Sequence, residues 1–419
     1  MSDEEAVRLA TAALRAPRVF FICNLYGSAG SYFFHTLFDG HPSLNTFLFD
    51  MFRVPIFVED FDQRAPRDHV AALFDDNERL FDTAVDRSPM NTLSQLGDTR
   101  DQGIQTDRVA FRRYLELILD RVAFDMRNFT LAVTLAHRLA RGIAPRGNTF
   151  VLYTHDLPRT ALFQRGFAGG RILALCRHPV STHVSRISRW FQGHLDLARD
   201  VRTGVRTALR LPQYRPSQIV YLEELYRLLP SLEGPLGVIS IEELHASPRA
   251  SMERVATFMD VPFHPTMLES TIGGLAWWGS HYTRVHGFSR ELHRRVRAEN
   301  AGAHDTAAVM MATQRLQCHL GYPSGLPRRP RAAGVRAWLP GRRYPADVVT
   351  LVRAAAGRTR SLGGRLACAR LGLERLAKYL IARTVLEGVA RSRIAALDAR
   401  ADFSKLVPLN PPQPGTIEA

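Results

Sequence analysis

Short apolar runs rich in β-branched and aromatic residues recur along the chain, and each is followed by a polar or glycine-containing turn and a helical pattern. Residues 32–38 continue the first run as a helix, which Gly40 and Pro42 end. A longer helical periodicity covers 108–141. Strands that alternate with helices pair in parallel, because each crossover helix returns the chain to the same edge of the sheet. The sequence therefore predicts an α/β, three-layer fold with a central parallel sheet flanked by helices, whose strands include Arg18–Cys23, Phe150–Thr154, Arg171–Cys176 and Gly237–Ile241.

The chain divides into three segments by pattern and composition. Residues 1–17 form a predicted N-terminal helical segment, and residues 18–325 hold the α/β domain, with an irregular and helical insertion at about 45–145. Residues 326–419 form a predicted basic helical extension. From Ser324 to Ala419 there are 18 Lys and Arg residues against 6 Asp and Glu, so this stretch carries +12 of the formal net charge of +15. The excess of positive charge therefore belongs to the extension.

The turn after the first apolar run contains Gly27 and Gly30, where a strand meets the start of a helix. Glycine can adopt backbone conformations that expose N–H groups, and such groups can hold a phosphate. A purely structural turn explains the two glycines equally well, because many strand–helix connections contain glycine. The turn lacks the lysine of a GxxxxGK[ST] loop, and no acidic residue ends Arg171–Cys176 to hold magnesium. These two features disfavour a nucleoside-triphosphate hydrolase or kinase.

Polar side chains follow two other predicted strands. His155 comes directly after Phe150–Thr154, and Arg177 comes directly after Arg171–Cys176, with Ser185 eight residues later. The carboxyl ends of parallel strands meet at one edge of the sheet, where ligands of open α/β folds bind. There an imidazole can act as a general base, and a guanidinium with a hydroxyl can bind a phosphate. The alternatives are a structural histidine and a surface arginine in an ion pair.

The order of these motifs resembles that of the sulfotransferase family. Phe20–Pro42 is similar to the family's 5′-phosphosulfate loop, P-[RK]-S-G-T-T, and to the apolar helix and His-Pro pair that follow it. Arg177–Ser185 resembles its 3′-phosphate motif, and Tyr153–Pro158 is similar to its K-[TS]-H-x-P segment. Ile239–Leu244 and Ala256–Phe263 resemble the R-Y-E-D-L and F-L-G-L-P-F segments. The resemblance implies a P-loop-like fold and reaches from the first strand to the boundary of the extension.

The resemblance also implies a reaction. The co-substrate would be 3′-phosphoadenosine 5′-phosphosulfate (PAPS), and the sulfuryl group would pass to a hydroxyl or amine of a carbohydrate, lipid or small-molecule acceptor. By the same resemblance His155 is the catalytic base, and Arg177 and Ser185 hold the 3′-phosphate. No metal is needed for this transfer. The other implied co-substrate contacts lie in the turn and the helix after it, at Gly27, Ser28, Ala29, Gly30, Ser31, Tyr32 and Phe33.

Two residues depart from the family's pattern. Ser28 stands where the family has Lys or Arg, and Tyr153 stands where it has the Lys before Thr-His. The family's cation stabilises the oxygen that the sulfuryl group leaves, and loss of one preorganised donor costs about 3–4 kcal/mol. Arg53 or Arg284 could supply a substitute charge. The alternative is a degenerate sulfotransferase-like protein that binds the nucleotide, or acts as a scaffold, without turnover.

The extension has a basic amphipathic pattern over 348–397, in which Arg and Lys are interspersed with Leu and Val. Such a surface can bind an anionic membrane, and a solvated helix pair packed on the core explains the pattern as well. Nucleic acid is disfavoured as a partner, because aromatic residues are scarce there. We expect a cytoplasmic protein with free thiols, with peripheral membrane association as a further option, because no secretory signal precedes the widely spaced Cys23, Cys176, Cys318 and Cys368.

Overall fold

The computed structural model of the chain describes most of the predicted α/β domain and a short C-terminal stretch. Ser28, Ser185, Arg53, Arg284 and positions 348–392 of the basic pattern lie outside the described residues. The residues that it describes are 1–27, 29–51, 54, 60–75, 77–85, 93, 95–179, 181–182, 217–279, 285–289, 310, 313–322 and 393–411.

The helices and strands follow one another in an order that alternates over much of the chain. The helices are α1 (Asp3–Leu14), α2 (Ser31–Thr36), α3 (Pro66–Asp75), α4 (Glu78–Phe81), α5 (Arg108–Leu119), α6 (Met126–Ala140), α7 (Leu157–Arg165), α8 (Ser217–Leu228), α9 (Ile241–Ala246), α10 (Pro248–Met259) and α11 (Gln314–His319). The strands are β1 (Arg18–Asn24), β2 (Leu44–Asp50), β3 (Thr149–Asp156), β4 (Arg171–Cys176), β5 (Leu236–Ser240), β6 (Thr271–Ile272), β7 (Leu275–Ala276) and β8 (Leu406–Asn410).

A six-stranded sheet forms the centre of the fold, with the strand order β2-β3-β1-β4-β5-β8. Every neighbouring pair in this sheet is parallel. β6 and β7 form a separate antiparallel pair. The four predicted strands correspond to β1, β3, β4 and β5, so the predicted α/β class with a central parallel sheet is confirmed.

Apolar cores cover both faces of the sheet, and β4 shows how one strand serves both. Leu173 and Leu175 belong to the core that includes residues of α1, α2 and α6. Ile172 and Ala174 belong to the other core, which includes residues of α8. Successive strand residues point to opposite faces, so a strand buried on both sides is apolar throughout. The sheet is therefore the middle layer of three, as predicted.

β2 lies within the segment that the sequence predicts to be irregular. Its Leu44 pairs with Thr149 of β3, and polar Asn45 and Thr46 are buried inside the strand. Asn45 is satisfied because its side-chain amide donates to the carbonyl oxygen of Gly147 at 3.0 Å. Buried polar residues interrupt the apolar pattern by which a strand is recognised, so this strand was not predicted.

β8 comes from the segment that the sequence assigns to the basic extension, and it pairs with β5 at the edge of the sheet. Pro408 lies within it, and proline is tolerated in edge strands because the side that lacks an N–H can face away from the sheet. Asn410 Oδ1 accepts a hydrogen bond from the backbone N–H of Ser240 at 2.6 Å. The predicted boundary near 325 therefore does not separate the sheet from the extension, since Leu406–Asn410 belongs to the sheet.

The helical periodicity over 108–141 is divided between two helices. α5 ends at Leu119 and α6 begins at Met126. The Asp125 side chain caps α6 by accepting a hydrogen bond from the backbone N–H of Asn128 at 2.7 Å. Such a cap favours a helix start at this point, so the pattern is a helical hairpin in which α5 packs on α6.

Candidate functional site

Three adjacent strands bring the predicted site residues to one edge of the sheet. β3, β1 and β4 are neighbours in that order. Cys23 of β1 pairs with His155 of β3, and Asn24 of β1 pairs with Leu175 of β4, two residues before Arg177. The glycine turn leaves β1 at this same level. The glycine turn, His155 and Arg177 therefore stand side by side at the carboxyl edge, as predicted.

Both glycines of the turn have the backbone conformation for which glycine is needed. Gly27 has φ 61° and Gly30 has φ 87°, and Gly30 is the N-cap of α2. A Cβ at Gly30 would lie 3.4 Å from Ile241 Cδ1, so strain in the backbone, and not lack of space, excludes other residues there. The predicted strand, glycine turn and helix are therefore present.

Asn24 fixes the turn, and sequence reasoning missed it. This residue is only 4% exposed at the end of β1. Its Oδ1 accepts the backbone N–H of Ala29 at 2.8 Å, and its Nδ2 donates to the carbonyl oxygen of His155 at 2.7 Å. One side chain thus ties the turn to the end of β3. The Ala29 N–H is already bound to Asn24, so the N–H groups predicted to bind a phosphate are the other ones of the turn.

His155 has an unusual backbone and a defined partner. Its φ is 67°, a left-handed conformation that is costly for a residue with a Cβ, and its side chain is exposed. Its Nδ1 lies 2.8 Å from the hydroxyl of Tyr153, two residues earlier in β3. Ser31 Oγ donates to that hydroxyl at 3.2 Å. A chain of polar groups therefore joins the histidine to the first turn of α2.

Tyr153 contacts one ring nitrogen of His155 and leaves the other, Nε2, as the candidate base. When Nδ1–H donates to the tyrosine oxygen, Nε2 carries a lone pair and can accept a proton. Tyr153 is 3% exposed, and Tyr32 packs against it edge-to-face, with ring centroids 5.1 Å apart. Tyr153 is thus a rigid support for the histidine.

Arg177 carries an unused donor. Its Nε is buried and has no hydrogen-bond partner among the described residues. Burial lowers the pKa of the guanidinium, and the nearby Glu242 carboxylate opposes that shift. A buried charged donor without an acceptor is costly, and an anion such as a phosphate would satisfy it. The residue therefore fits the phosphate-binding role that the resemblance implies for it.

Phe33 lies in a buried aromatic cluster and not on an exposed surface. It is 8% exposed, and its ring stacks on His245 with centroids 4.8 Å apart and an interplanar angle of 11°. Phe288 meets it edge-on at 5.3 Å, and Trp277 lies 6.3 Å away. Tyr32, the other predicted contact in this helix, donates its hydroxyl to the carbonyl oxygen of Leu48 at 3.0 Å. Both rings are therefore packed inside the protein, next to the glycine turn.

His35 is a second residue next to the site that sequence reasoning missed. It lies in α2, is 3% exposed, and neither ring nitrogen has a hydrogen-bond partner among the described residues. Its ring stacks on Tyr153 with centroids 5.6 Å apart. Burial lowers its pKa from 6.5 to about 4, although the Asp39 carboxylate opposes the shift. His35 is therefore a neutral ring behind the Tyr153–His155 pair at neutral pH.

None of the helices in the described ranges combines the length and the apolar character needed to cross a lipid bilayer. Within the same ranges, no group of three or more His, Cys, Asp and Glu side chains is arranged so that it could hold a metal ion. Cys23 and Cys176 are buried free thiols, and burial raises the pKa of Cys23 to about 12. These two cysteines are packing residues and not nucleophiles.

The sequence matches no protein-family model and no curated protein. Among solved structures, the chain is similar to a sulfotransferase domain from the curacin biosynthetic pathway. The identity is 19%, the TM-score is 0.33, and the match covers 74% of this chain and 99% of that domain.

Proposed function

We propose that this chain is a sulfotransferase that transfers a sulfuryl group from PAPS to a hydroxyl or amine of a carbohydrate, lipid or small-molecule acceptor. The observation that carries the proposal is the convergence of Gly30, His155 and Arg177 at the carboxyl ends of three adjacent strands. These groups supply a phosphate cradle, a base and a cation. They also follow one another in the order of the sulfotransferase motifs.

In this proposal Arg177 binds the 3′-phosphate. Its buried Nε needs an acceptor, and a guanidinium forms strong charge-assisted hydrogen bonds with phosphate oxygens. Ser185, which lies outside the described residues, is assigned the second contact from the motif alone. The backbone of the glycine turn holds the 5′ end, since left-handed conformations such as those of Gly27 and Gly30 are typical of turns whose N–H groups bind anions.

His155 acts as the general base. Its exposed ring can meet an acceptor, and in the tautomer whose Nδ1–H donates to Tyr153, Nε2 removes the proton from the acceptor hydroxyl. The acceptor oxygen then forms its bond to sulfur while the bond from sulfur to the 5′-phosphate oxygen breaks. The proton ends on His155, and the charge ends on the released 3′-phosphoadenosine 5′-phosphate. The strained backbone at this residue is of the kind that clusters at active sites.

A second candidate function is nucleotide binding without turnover. Where the family has a lysine, Tyr153 offers a hydroxyl that already contacts Ser31 and His155. Neutral donors stabilise a developing negative charge less than a cation does. In this second candidate, hydroxyls and backbone N–H groups would support the leaving oxygen in place of a cation, which favours slow transfer or none.

Calorimetry with 3′-phosphoadenosine 5′-phosphate tests the binding half of the proposal. Arg177→Ala should weaken binding by about ten- to a hundredfold, because it removes a charged hydrogen-bond donor. Arg171→Ala is the matched control, since Arg171 is an exposed arginine at the opposite end of the same strand. Equal binding by the wild type and Arg177→Ala would refute the assigned phosphate contact.

Transfer of radiolabelled sulfuryl from PAPS to the components of a cell extract tests the chemical half. His155→Ala should lower the labelling rate by about a hundred- to ten-thousandfold, the contribution of a positioned base, while nucleotide affinity stays unchanged. Unchanged labelling would remove His155 as the base. Wild-type protein that binds the nucleotide tightly but labels nothing would favour the binding protein over the transferase.

A further inference from the structure

One peptide group beside the proposed 3′-phosphate site is fixed at both of its polar atoms. The carbonyl oxygen of Arg177 accepts a hydrogen bond from the Tyr26 hydroxyl at 2.6 Å. The N–H of His178, on the other side of the same peptide bond, donates to Glu242 Oε1 at 2.8 Å. Backbone groups in loops usually bond to other backbone groups or to water. A peptide group whose N–H and carbonyl oxygen both bond to side chains is therefore unusual.

The two side chains come from different parts of the fold. Tyr26 belongs to the glycine turn, immediately before Gly27, and is 1% exposed. Glu242 is the second residue of α9, which follows β5, and is 7% exposed. The peptide group between Arg177 and His178 is thus connected directly to the loop proposed to hold the other end of the nucleotide. The Tyr26 contact fixes the separation between the two phosphate-binding groups.

A second tyrosine holds the carboxylate in place. Glu242 Oε2 accepts hydrogen bonds from Tyr322 at 3.0 Å and from Ser240 Oγ at 3.1 Å. The Tyr322 ring also meets the His178 ring edge-on at 5.5 Å. Burial raises the pKa of both Tyr26 and Tyr322 well above the ordinary value, so both remain hydroxyl donors. The carboxylate is therefore oriented by three donors and cannot swing toward a bound phosphate without losing them.

We propose that Tyr26, Glu242 and Tyr322 are positioning residues that set the specificity of the site for an adenosine phosphorylated at both ends. They hold the Arg177–His178 peptide at a fixed distance from the glycine turn, so that one ligand engages both phosphate sites only if its phosphates match that distance. The inference rests on the proposed function. It adds that selectivity for the 3′-phosphate depends on this hydrogen-bonded support as well as on the guanidinium.

Two ligands separate this role from general stability. 3′-Phosphoadenosine 5′-phosphate carries both phosphates, and adenosine 5′-phosphate lacks the 3′-phosphate. The selectivity is the ratio of their dissociation constants, and it should favour the bisphosphate by at least about tenfold in the wild type, as one charged contact provides. Tyr26→Phe and Tyr322→Phe each remove one hydroxyl and keep the ring. Each should lower the selectivity by about three- to tenfold, and Tyr322→Phe should leave the affinity for adenosine 5′-phosphate unchanged.

Tyr226→Phe is the matched control. Tyr226 is a buried tyrosine in the same core as Tyr26 and Tyr322, and its hydroxyl donates to the Asp398 carboxylate at 2.8 Å. The control should lose stability as the other two variants do and keep wild-type selectivity. A fall in selectivity in all three variants would overturn the proposal, because a general structural effect would then explain it.

The remaining outcomes separate the positioning role of the tyrosines from the proposed function of the protein. If Arg177→Ala abolishes the selectivity while Tyr26→Phe and Tyr322→Phe retain it, the positioning role is wrong and the proposed function stands. If the wild type does not distinguish the two nucleotides, the assignment of the 3′-phosphate site fails and the positioning role falls with it. Should Tyr26→Phe not fold, Tyr322→Phe alone decides, since it acts on the same peptide through Glu242.

Discussion

Replacing His35 with phenylalanine should make the protein less sensitive to acid. His35 is buried between aromatic rings with both nitrogens unpaired among the described residues, and its pKa is about 4 in the folded chain against 6.5 for an ordinary histidine. Above pH 6.5 the ring is neutral in both folded and unfolded chains. As pH falls below 6.5, the unfolded chain binds a proton at His35 that the folded chain does not bind. The free energy of unfolding therefore decreases as pH falls.

The size of this effect follows from the difference between the two pKa values. Each pKa unit corresponds to about 1.4 kcal/mol, so by pH 5 the histidine has cost about 2 kcal/mol of the free energy of unfolding. In His35→Phe this loss is absent. His137, whose burial lowers its pKa to about 3, titrates in both proteins and cancels in the comparison.

Urea unfolding at pH 7.5 and pH 5.0 measures the difference. The wild type should lose about 2 kcal/mol more than His35→Phe between the two pH values. Phe34→Leu is the control, because Phe34 is a fully buried, non-titrating residue on the same helix. It should cost about 1 kcal/mol at both pH values, since a similar-sized apolar replacement changes packing alone. Equal losses on acidification in wild type and His35→Phe would refute the burial argument.

Two further substitutions test how the site is held. Asn24→Ala should destabilise the protein by about 2–3 kcal/mol in thermal or urea unfolding, because it leaves the Ala29 N–H and the His155 carbonyl oxygen without their partner; a loss below the uncertainty of the measurement would contradict the assigned clamp. His155→Gly should be more stable than His155→Ala by up to about 1 kcal/mol, because both lose the ring contacts and only glycine relieves the left-handed backbone, and both should lose transfer activity; equal stability of the two variants would contradict the assigned strain.

Much of the frame of this site was predictable because it depends on local pattern. β1, β3, β4 and β5 are continuous apolar runs bounded by turns, and parallel pairing aligns their carboxyl ends. That alignment alone places His155 and Arg177 beside the glycine turn. β2 and β8 were not predicted, because buried polar residues in β2 and a proline in β8 interrupt the apolar pattern of a strand. Their pairing with β3 and β5 is visible only in the folded sheet.

The sequence by itself determined the fold class, the glycine turn and the placement of a histidine and an arginine at two strand ends. Only the tertiary structure decided how these groups are held. Asn24 binds the carbonyl of a residue 131 positions away, and Glu242 binds the Arg177–His178 peptide from 64 positions away. Such contacts leave no periodic signal, because each depends on the three-dimensional path of two distant segments. The residue types at the strand ends can be read from the local sequence, whereas their geometry depends on packing between distant segments across the sheet.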